Sequence, residues 1–253
     1  MKNVIGIDIG GTKIAGVVFD GKKSVKELTI VAPKTLAEFK RNLMKLFDFL
    51  SADYNISAVG IGMAGVIDAK RKVAVYSPNI KYINNFDFKK LFGKSLKIEV
   101  ANDAKCFALA EAKLGQGRKF KSVVGVILGT GVGSGLVQNG KIYTGQHYGA
   151  GEVGRMLYDG KHTFESLFKK GRDARNSRQL SQIVGVLLGN VCRAYDPDVV
   201  ILGGGVAMDK KRNFVEGAKK ICVNMLSSYR IKPKIVVSKL KNAGAIGAAL
   251  LVK

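Results

Sequence analysis

Apolar residues along this chain fall into short runs separated by glycine-rich or charged turns, interleaved with longer stretches at helical spacing. Val4-Ile5-Gly6-Ile7-Asp8-Ile9-Gly10 reads as a buried strand running into a turn. It lines up with Val123-Val124-Gly125-Val126-Ile127-Leu128-Gly129, and at the same constant offset Gly16 meets Gly135, Val18 meets Val137 and Asp20-Gly21-Lys22 meets Asn139-Gly140-Lys141. Asp-Gly and Asn-Gly suit tight hairpins because both central residues reach positive φ there. Each copy therefore predicts strand, glycine turn, strand, second turn, and the repeat predicts two lobes built on similar sheets.

Between and after the copies, helices and strands alternate. Thr35-x-x-Glu38 is a capping-box pattern, followed at helical spacing by Leu36, Phe39, Leu43, Leu46, Phe47 and Leu50. Strands are expected at 58–62 and 98–101, and a helix at 103–114 closed by Gly115. Next come a helix at 180–195 stopped by Pro197, and a strand at 199–202 ending in Gly203-Gly204-Gly205. A helix at 213–227, a strand at 235–238 and a small-residue helix at 243–251 complete the pattern. Such alternation predicts an α/β fold with helix-covered sheets.

Composition narrows the class. The 253 residues suffice for one large domain or two small lobes with a sizeable core, and 47% apolar content excludes intrinsic disorder. Cys106, Cys192 and Cys222 are too far apart for a C-x-x-C pair or zinc ribbon and too few for a disulfide scaffold, so a reduced, cytoplasmic setting is the default expectation. Residues 122–140 carry no charge and are long enough to span a bilayer. Their glycines make a poor helix, however, and two strands around a glycine turn are expected instead, in a soluble protein with no membrane partner. The chain enters a strand at Val4 with a charged Asp8, unlike a secretory signal. A net charge of +23 favours polyanionic partners such as nucleic acid, nucleotides or polyphosphate. The cations are spread along the whole chain, so a lysine-rich solvated surface is the plainer alternative.

Several chemistries are excluded by motif. The chain has no G-x-x-x-x-G-K-[ST], no G-x-G-x-x-G leading from strand to helix and no G-x-S-x-G, and its two histidines, His147 and His162, offer little for a histidine triad. Asp8-Ile9-Gly10-Gly11-Thr12-Lys13, in contrast, sets a carboxylate at a strand end before a turn bearing a hydroxyl and a cation. Turn N–H groups can cradle phosphate, the Asp8 carboxylate can hold a Mg²⁺-bound water, and Lys13 adds a point charge. An ordinary hairpin is the alternative. Gly129-Thr130-Gly131-Val132-Gly133 at the repeat position makes two phosphate-facing turns the better reading.

This pair of hairpins resembles the phosphate-1 and phosphate-2 loops of the actin-like sugar kinase superfamily, and further segments are similar to the ROK family of bacterial and archaeal sugar kinases and repressors. Gly60 to Asp68, with Gly65, resembles its G-x-x-G-x-x-D segment, Ser77-Pro78-Asn79-Ile80 its sugar-contacting P-N motif, and Val100-Ala101-Asn102-Asp103-Ala104 its catalytic N-D segment. Gly149-Ala150-Gly151-Glu152-Val153-Gly154 is similar to its G-x-x-G-E-x-G stretch, Gly203 to Gly205 to its adenosine-side turn, and Ala243 to Ala249 to its closing helix. The resemblance runs in order over essentially the whole chain.

It implies a two-lobed, actin-like (ribonuclease H-like) α/β fold with duplicated mixed sheets and an interlobe cleft. The lobes are expected at 1–104, with helix 243–253 packing back on it, and at 105–242. The implied activity is transfer of the γ-phosphoryl of ATP to a hexose hydroxyl, with glucose to glucose 6-phosphate as the primary expectation. Polyphosphate is an alternative donor, and fructose, mannose or an N-acetylhexosamine are alternative acceptors. Asp103 is the implied catalytic base, with helix capping as its plainer role. Gly65, Asn79, Asn102, Asp103, Glu152 and Glu165 are the implied sugar contacts. Asp8, Gly10, Gly11, Thr12, Lys13, Thr130, Gly131, Gly133, Gly204 and Gly205 are expected around the nucleotide, with Asp8 serving Mg²⁺ through water. A homodimer is the family default.

The chain departs from the family at one place. Arg155 stands where the family has a His, and the family's cysteine-rich zinc loop shrinks to Met156 through Phe164 with no cysteine, so no zinc site is expected. Glu165 matches that loop's final Glu across a gap. A sugar-responsive DNA-binding regulator is disfavoured, because the first phosphate loop begins by residue 8 and leaves no room for a reader module. An inactive sugar-binding protein is disfavoured by Asp103 and both loops.

Overall fold

The structure is a computed structural model that describes residues 3–77, 79–93, 95–229 and 233–252; Pro78 of the P-N motif and Lys253 at the end of the expected closing helix lie outside them. The chain divides into two compact units. The first holds Met1–Ala110, Gly145–Gly149 and Lys241–Lys253, and the second holds Glu111–Thr144 and Ala150–Leu240.

The first unit is built on a five-stranded mixed sheet. Its strands are β1 (Asn3–Ile9), β2 (Lys13–Phe19), β3 (Ser24–Val31), β4 (Ile56–Met63) and β8 (Lys97–Asn102), in the order β3-β2-β1-β4-β8. The β1–β2 and β2–β3 pairs are antiparallel, while β1–β4 and β4–β8 are parallel. A small antiparallel sheet, β5 (Val66–Asp68), β6 (Val73–Tyr76) and β7 (Phe86–Asp87), is followed by α2 (Phe88–Phe92). The sequence pattern did not separate these short elements, because runs of two to four residues carry too few positions to establish a period.

The twofold alternation of β1 assigns its two faces. Ile5, Ile7 and Ile9 enter one core with Phe39, Leu43, Leu46 and Leu50 of α1 (Leu36–Ser51). That helix starts with half of the capping box: the Thr35 hydroxyl accepts from Glu38 N–H at 3.2 Å, while the Glu38 carboxylate reaches one residue past the cap, to Lys34 N–H at 3.1 Å. Gly6 and Asp8 face the other way, under the last helix, and β4 repeats the division, with Val59 and Ile61 in the core and Gly60 on the opposite face.

Gly6 and Gly60 are cross-strand partners in the parallel β1–β4 register. The missing side chains let the small-residue helix that closes the chain lie directly on the strands. A Cβ on Gly60 would collide with the carbonyl oxygen of Ala248, and one on Gly6 with that of Ala245. Gly60→Ala is therefore expected to destabilise the protein by about 1–3 kcal/mol through overpacking, read as a lower urea midpoint. An unchanged midpoint would show that the helix can lift without cost.

From Asp103 the chain forms α3 (Asp103–Lys113) and enters the second unit, whose sheet repeats the first. Its strands are β9 (Ser122–Leu128), β10 (Val132–Gln138), β11 (Lys141–Tyr143), β12 (Val199–Gly203) and β13 (Lys234–Val237), in the order β11-β10-β9-β12-β13. Again two antiparallel pairs precede two parallel ones. The repeat is thus a repeat of topology. The uncharged stretch 122–140 forms the hairpin β9–β10, and no helix among the described residues is long and apolar enough to cross a membrane.

Val124, Val126 and Leu128 pack against α4 (Phe164–Asp173), α5 (Ser177–Tyr195) and α7 (Val215–Leu226); the short α6 (Gly205–Met208) follows β12, and α8 (Ala243–Leu250) is the closing helix. At the end of α5, Asp196 takes a left-handed φ of 40° ahead of Pro197. Cys192 of α5 and Cys222 of α7 are both buried, and the hydrogen bond between their sulfurs, then burial, pushes the Cys192 thiol up. Their proximity is a product of helix packing that sequence spacing does not reveal.

Candidate active site

In the first unit the site starts from two strand ends. Asp8, one residue from the end of β1, lies half-buried on the face covered by α8. Gly244 makes room for it, since a Cβ there would collide with the Asp8 carboxylate. Burial, then the nearby charge of Asp103, push the Asp8 carboxyl from 3.8 up to about 7, against an opposing pull from Lys13. Asp8, at the end of β1, and Asp103, at the start of α3, therefore form an acid pair of like charge.

The turn after Asp8 is closed by Gly10 N–H donating to the Lys13 carbonyl at 3.0 Å, which leaves Gly11, Thr12 and Lys13 exposed. Asn79 is brought to this turn: a Cβ on Gly11 would lie 3.0 Å from the Asn79 Cβ. Gly65 needs to be glycine, with φ of 128° and no room for a side chain beside the Tyr76 carbonyl.

Asn102 caps α3. Its Oδ1 accepts from Ala104 N–H at 3.0 Å and Lys105 N–H at 3.3 Å, while its Nδ2 donates to the Gly65 carbonyl at 3.2 Å. Asp103 Oδ1 also accepts from Ala104 N–H, at 2.9 Å. Capping, the plainer role for Asp103, thus falls mainly to Asn102, which ties the start of α3 to the Gly65 turn.

Lys105 is a residue that motif reading passed over. It is only 4% exposed and donates to the Tyr148 carbonyl at 2.5 Å, so it anchors the segment 145–149 within this unit. The signal was present in the sequence: a single lysine inside the apolar, alanine-rich run Ala104 to Ala110. Beside it, burial pushes the Cys106 thiol well up, followed by the charges of Asp8 and Asp103, while Lys105 opposes the shift.

In the second unit the glycine turn between β9 and β10 is tightened by Gly129 N–H donating to the Gly131 carbonyl at 3.0 Å. Gly204, with φ of 86°, packs against the Leu128 backbone, so the 203–205 turn lies beside this loop. Gly151 and Gly154 lie along β10. Ser134 Oγ donates to the Gly151 carbonyl at 2.7 Å, and a Cβ on Gly154 would collide with the Val132 carbonyl. Gly133 is the second paired residue of β10, opposite Ile127.

Glu152 pairs with Arg155 at 3.4 Å, both partly exposed, an ion pair of little energetic weight. Glu165 is more firmly placed. Its Oε2 accepts from Val132 N–H at 3.0 Å and its Oε1 from Lys169 at 2.7 Å. Burial alone would raise its pKa, but Lys169 and the Val132 N–H hold the carboxyl below the ordinary glutamate range.

Residues 156–164 form a small hairpin. Leu157 bridges Thr163, Tyr158 N–H donates to the His162 carbonyl at 2.7 Å, and the Tyr158 and Phe164 rings meet edge to face. At its tip the His162 side chain, then the N–H groups of His162 and Lys161, hold the Asp159 carboxyl down to about 2.

Two mixed five-stranded sheets of one topology, each with a glycine turn inside its first hairpin, define the actin-like, ribonuclease H-like class of α/β fold. The chain belongs to the ROK family, whose model matches residues 4–167 and 157–253. It is similar to the N-acetyl-D-glucosamine kinase of Photobacterium profundum, 30% identical over 97% of this chain and 98% of that protein. Among solved structures, a ROK hexokinase from Thermus thermophilus superposes with a TM-score of 0.87 at 28% identity, covering 99% of this chain and 97% of that one. A ROK glucokinase from Streptomyces griseus, in complex with glucose and AMPPNP, shares the fold with a TM-score of 0.88 at 24% identity, covering 99% of each chain.

Proposed function

We propose that this ROK sugar kinase transfers the γ-phosphoryl group of ATP to the 6-hydroxyl of a glucose-configured hexose, with glucose as the acceptor. The observation that carries the reading is the acid pair of the first unit, Asp8 and Asp103, set at a strand end and a helix start beside an exposed glycine turn. Asp103 accepts the proton of the acceptor hydroxyl as the O–P bond forms. Asn102 has one amide hydrogen beyond its bond to Gly65 and offers it to a sugar hydroxyl. Asn79, Glu152, Glu165 and the Gly65 backbone complete the sugar contacts. Gly10, Gly11, Thr12 and Lys13, with Thr130, Gly131 and Gly133, hold the phosphates, and Gly204 and Gly205 lie at the adenosine.

Asp8 suits a divalent cation. Its ionisation is opposed by burial and by a second carboxylate, penalties that Lys13 only partly relieves and that a bound cation would offset. Asp8 would hold Mg²⁺ through a bound water, and the ion would supply charge neutralisation at the transferring phosphates.

A second reading, N-acetyl-D-glucosamine as acceptor, is favoured by the relatives of that name, which the chain matches over 97% of its length. The test is sugar-dependent ADP release from Mg-ATP with glucose, N-acetyl-D-glucosamine, mannose, fructose and N-acetyl-D-mannosamine in parallel, the phosphorylated carbon being located by NMR. Glucose is expected to give the highest kcat/KM, with a 6-phosphate product. A higher value for N-acetyl-D-glucosamine selects the second reading, and no stimulation by any sugar overturns both. A parallel arm with polyphosphate as donor tests the other consequence drawn from the +23 charge. In this reading the protein is a cytoplasmic homodimer, for which sedimentation should return twice the chain mass.

A further inference from the structure

The face that α4 turns toward the second glycine loop bears three charged residues at successive helical turns, Glu165, Lys169 and Arg172. Two of them grip the loop backbone from the same side. Glu165 accepts from Val132 N–H at 3.0 Å, and Gly131 must lack a side chain for that carboxylate to reach it. Arg172 Nη1 donates to the Gly129 carbonyl at 3.2 Å and also to the Thr130 carbonyl. Its Nε is held by Asp173 at 2.7 Å, and Arg212 Nη1 donates to the Arg172 carbonyl at 2.9 Å, which steadies the end of the helix.

We infer that Arg172 is a positioning residue that aims the phosphate-binding amides of this loop. The physical reason is the trans peptide. In each peptide plane C=O and N–H point in opposite directions, and the chain contains no cis bonds among its described residues. By turning the carbonyls of Gly129 and Thr130 toward α4, Arg172 turns the N–H groups of Thr130 and Gly131 away from it. Neither N–H donates to a protein acceptor among the described residues. Two adjacent, outward-pointing N–H groups form an anion-binding nest, here held ready before the ligand arrives. Arginine suits this role because its planar fork serves two carbonyls and a carboxylate at once, which a lysine ammonium cannot do with the same geometry. The inference rests on the nucleotide reading proposed above and identifies what organises its second loop.

The test compares the full-length protein with Arg172→Gln and Arg172→Lys. The readouts are calorimetric binding of Mg-AMPPNP, the KM values for ATP and hexose, and the thermal unfolding midpoint. Arg172→Gln is expected to weaken AMPPNP binding and raise the ATP KM roughly 10- to 100-fold, the range typical for loss of an outer-shell support. Arg172→Lys should recover part of the loss, with the hexose KM and the unfolding midpoint unchanged. Unaltered nucleotide affinity in Arg172→Gln overturns the inference and leaves the kinase reading standing. A joint fall in midpoint and in affinity for both substrates, without rescue by lysine, overturns it in favour of a structural role. Failure of the unsubstituted protein to bind Mg-AMPPNP overturns the nucleotide reading, and this inference with it.

Discussion

Asp103→Asn is expected to lower kcat by roughly 10²- to 10⁴-fold, the usual contribution of a positioned general base, while the protein stays folded. The asparagine Oδ1 can still accept from Ala104 N–H, and the start of α3 retains the Asn102 cap. The substitution removes a basic oxygen and a negative charge while keeping the shape. Hexose and nucleotide affinities should change far less than turnover. A collapse of both affinities with kcat preserved would show that Asp103 binds substrate and takes no proton. A lower unfolding midpoint would return it to the capping role.

Asp8→Asn is expected to act in opposite directions on activity and stability. In the folded, ligand-free protein the Asp8 carboxyl is pushed up to about 7, against 3.8 as its ordinary value. A group raised in this way is more easily ionised in the unfolded chain. Stability is therefore complete below about pH 3.8 and is lost as the pH rises through 7. At about 1.4 kcal/mol per pKa unit, the loss at pH 8 is on the order of 4 kcal/mol. Asparagine never ionises and escapes it. In buffer without Mg²⁺, Asp8→Asn should raise the thermal midpoint by several degrees at pH 8 and leave it nearly unchanged near pH 4. Phosphoryl transfer should fall to background at both. A midpoint gain independent of pH would show that the burial of Asp8 is not the source of the instability.

This opposition is usual where a fold buries charge for chemistry. Here the placement follows from local packing. Asp8 lies on the glycine-bearing face of β1, under α8, because β1 alternates and its isoleucines claim the other face.

Much of the architecture was legible in the sequence, because it depends on short-range rules. The twofold alternation of β1 and the glycine turns after Ile9 and Leu128 announce themselves within a few residues, as does the capping box at Thr35. The repeat then carried one sheet's topology to the other. The candidate acids Asp8 and Asp103 were legible too, as carboxylates at an element's end or start beside motif glycines. The small sheet β5–β7 escaped because its strands are too short to show a period. Helix α4 escaped because it is largely polar and follows the shortened loop, where alignment to the family needs a gap.

What the sequence determined by itself was the sequence of elements, their duplication and the identity of the chemical groups. The tertiary structure alone decided what those groups touch. Asn102 bonds to the Gly65 carbonyl, Lys105 to Tyr148, Glu165 to Val132 and Arg172 to the backbone of Gly129 and Thr130, across separations of 33 to 43 residues. Each of these bonds joins a side chain to a backbone group that any residue type would offer at that position. No residue pattern therefore encodes the partner, and only the packing of the elements brings the two atoms within reach.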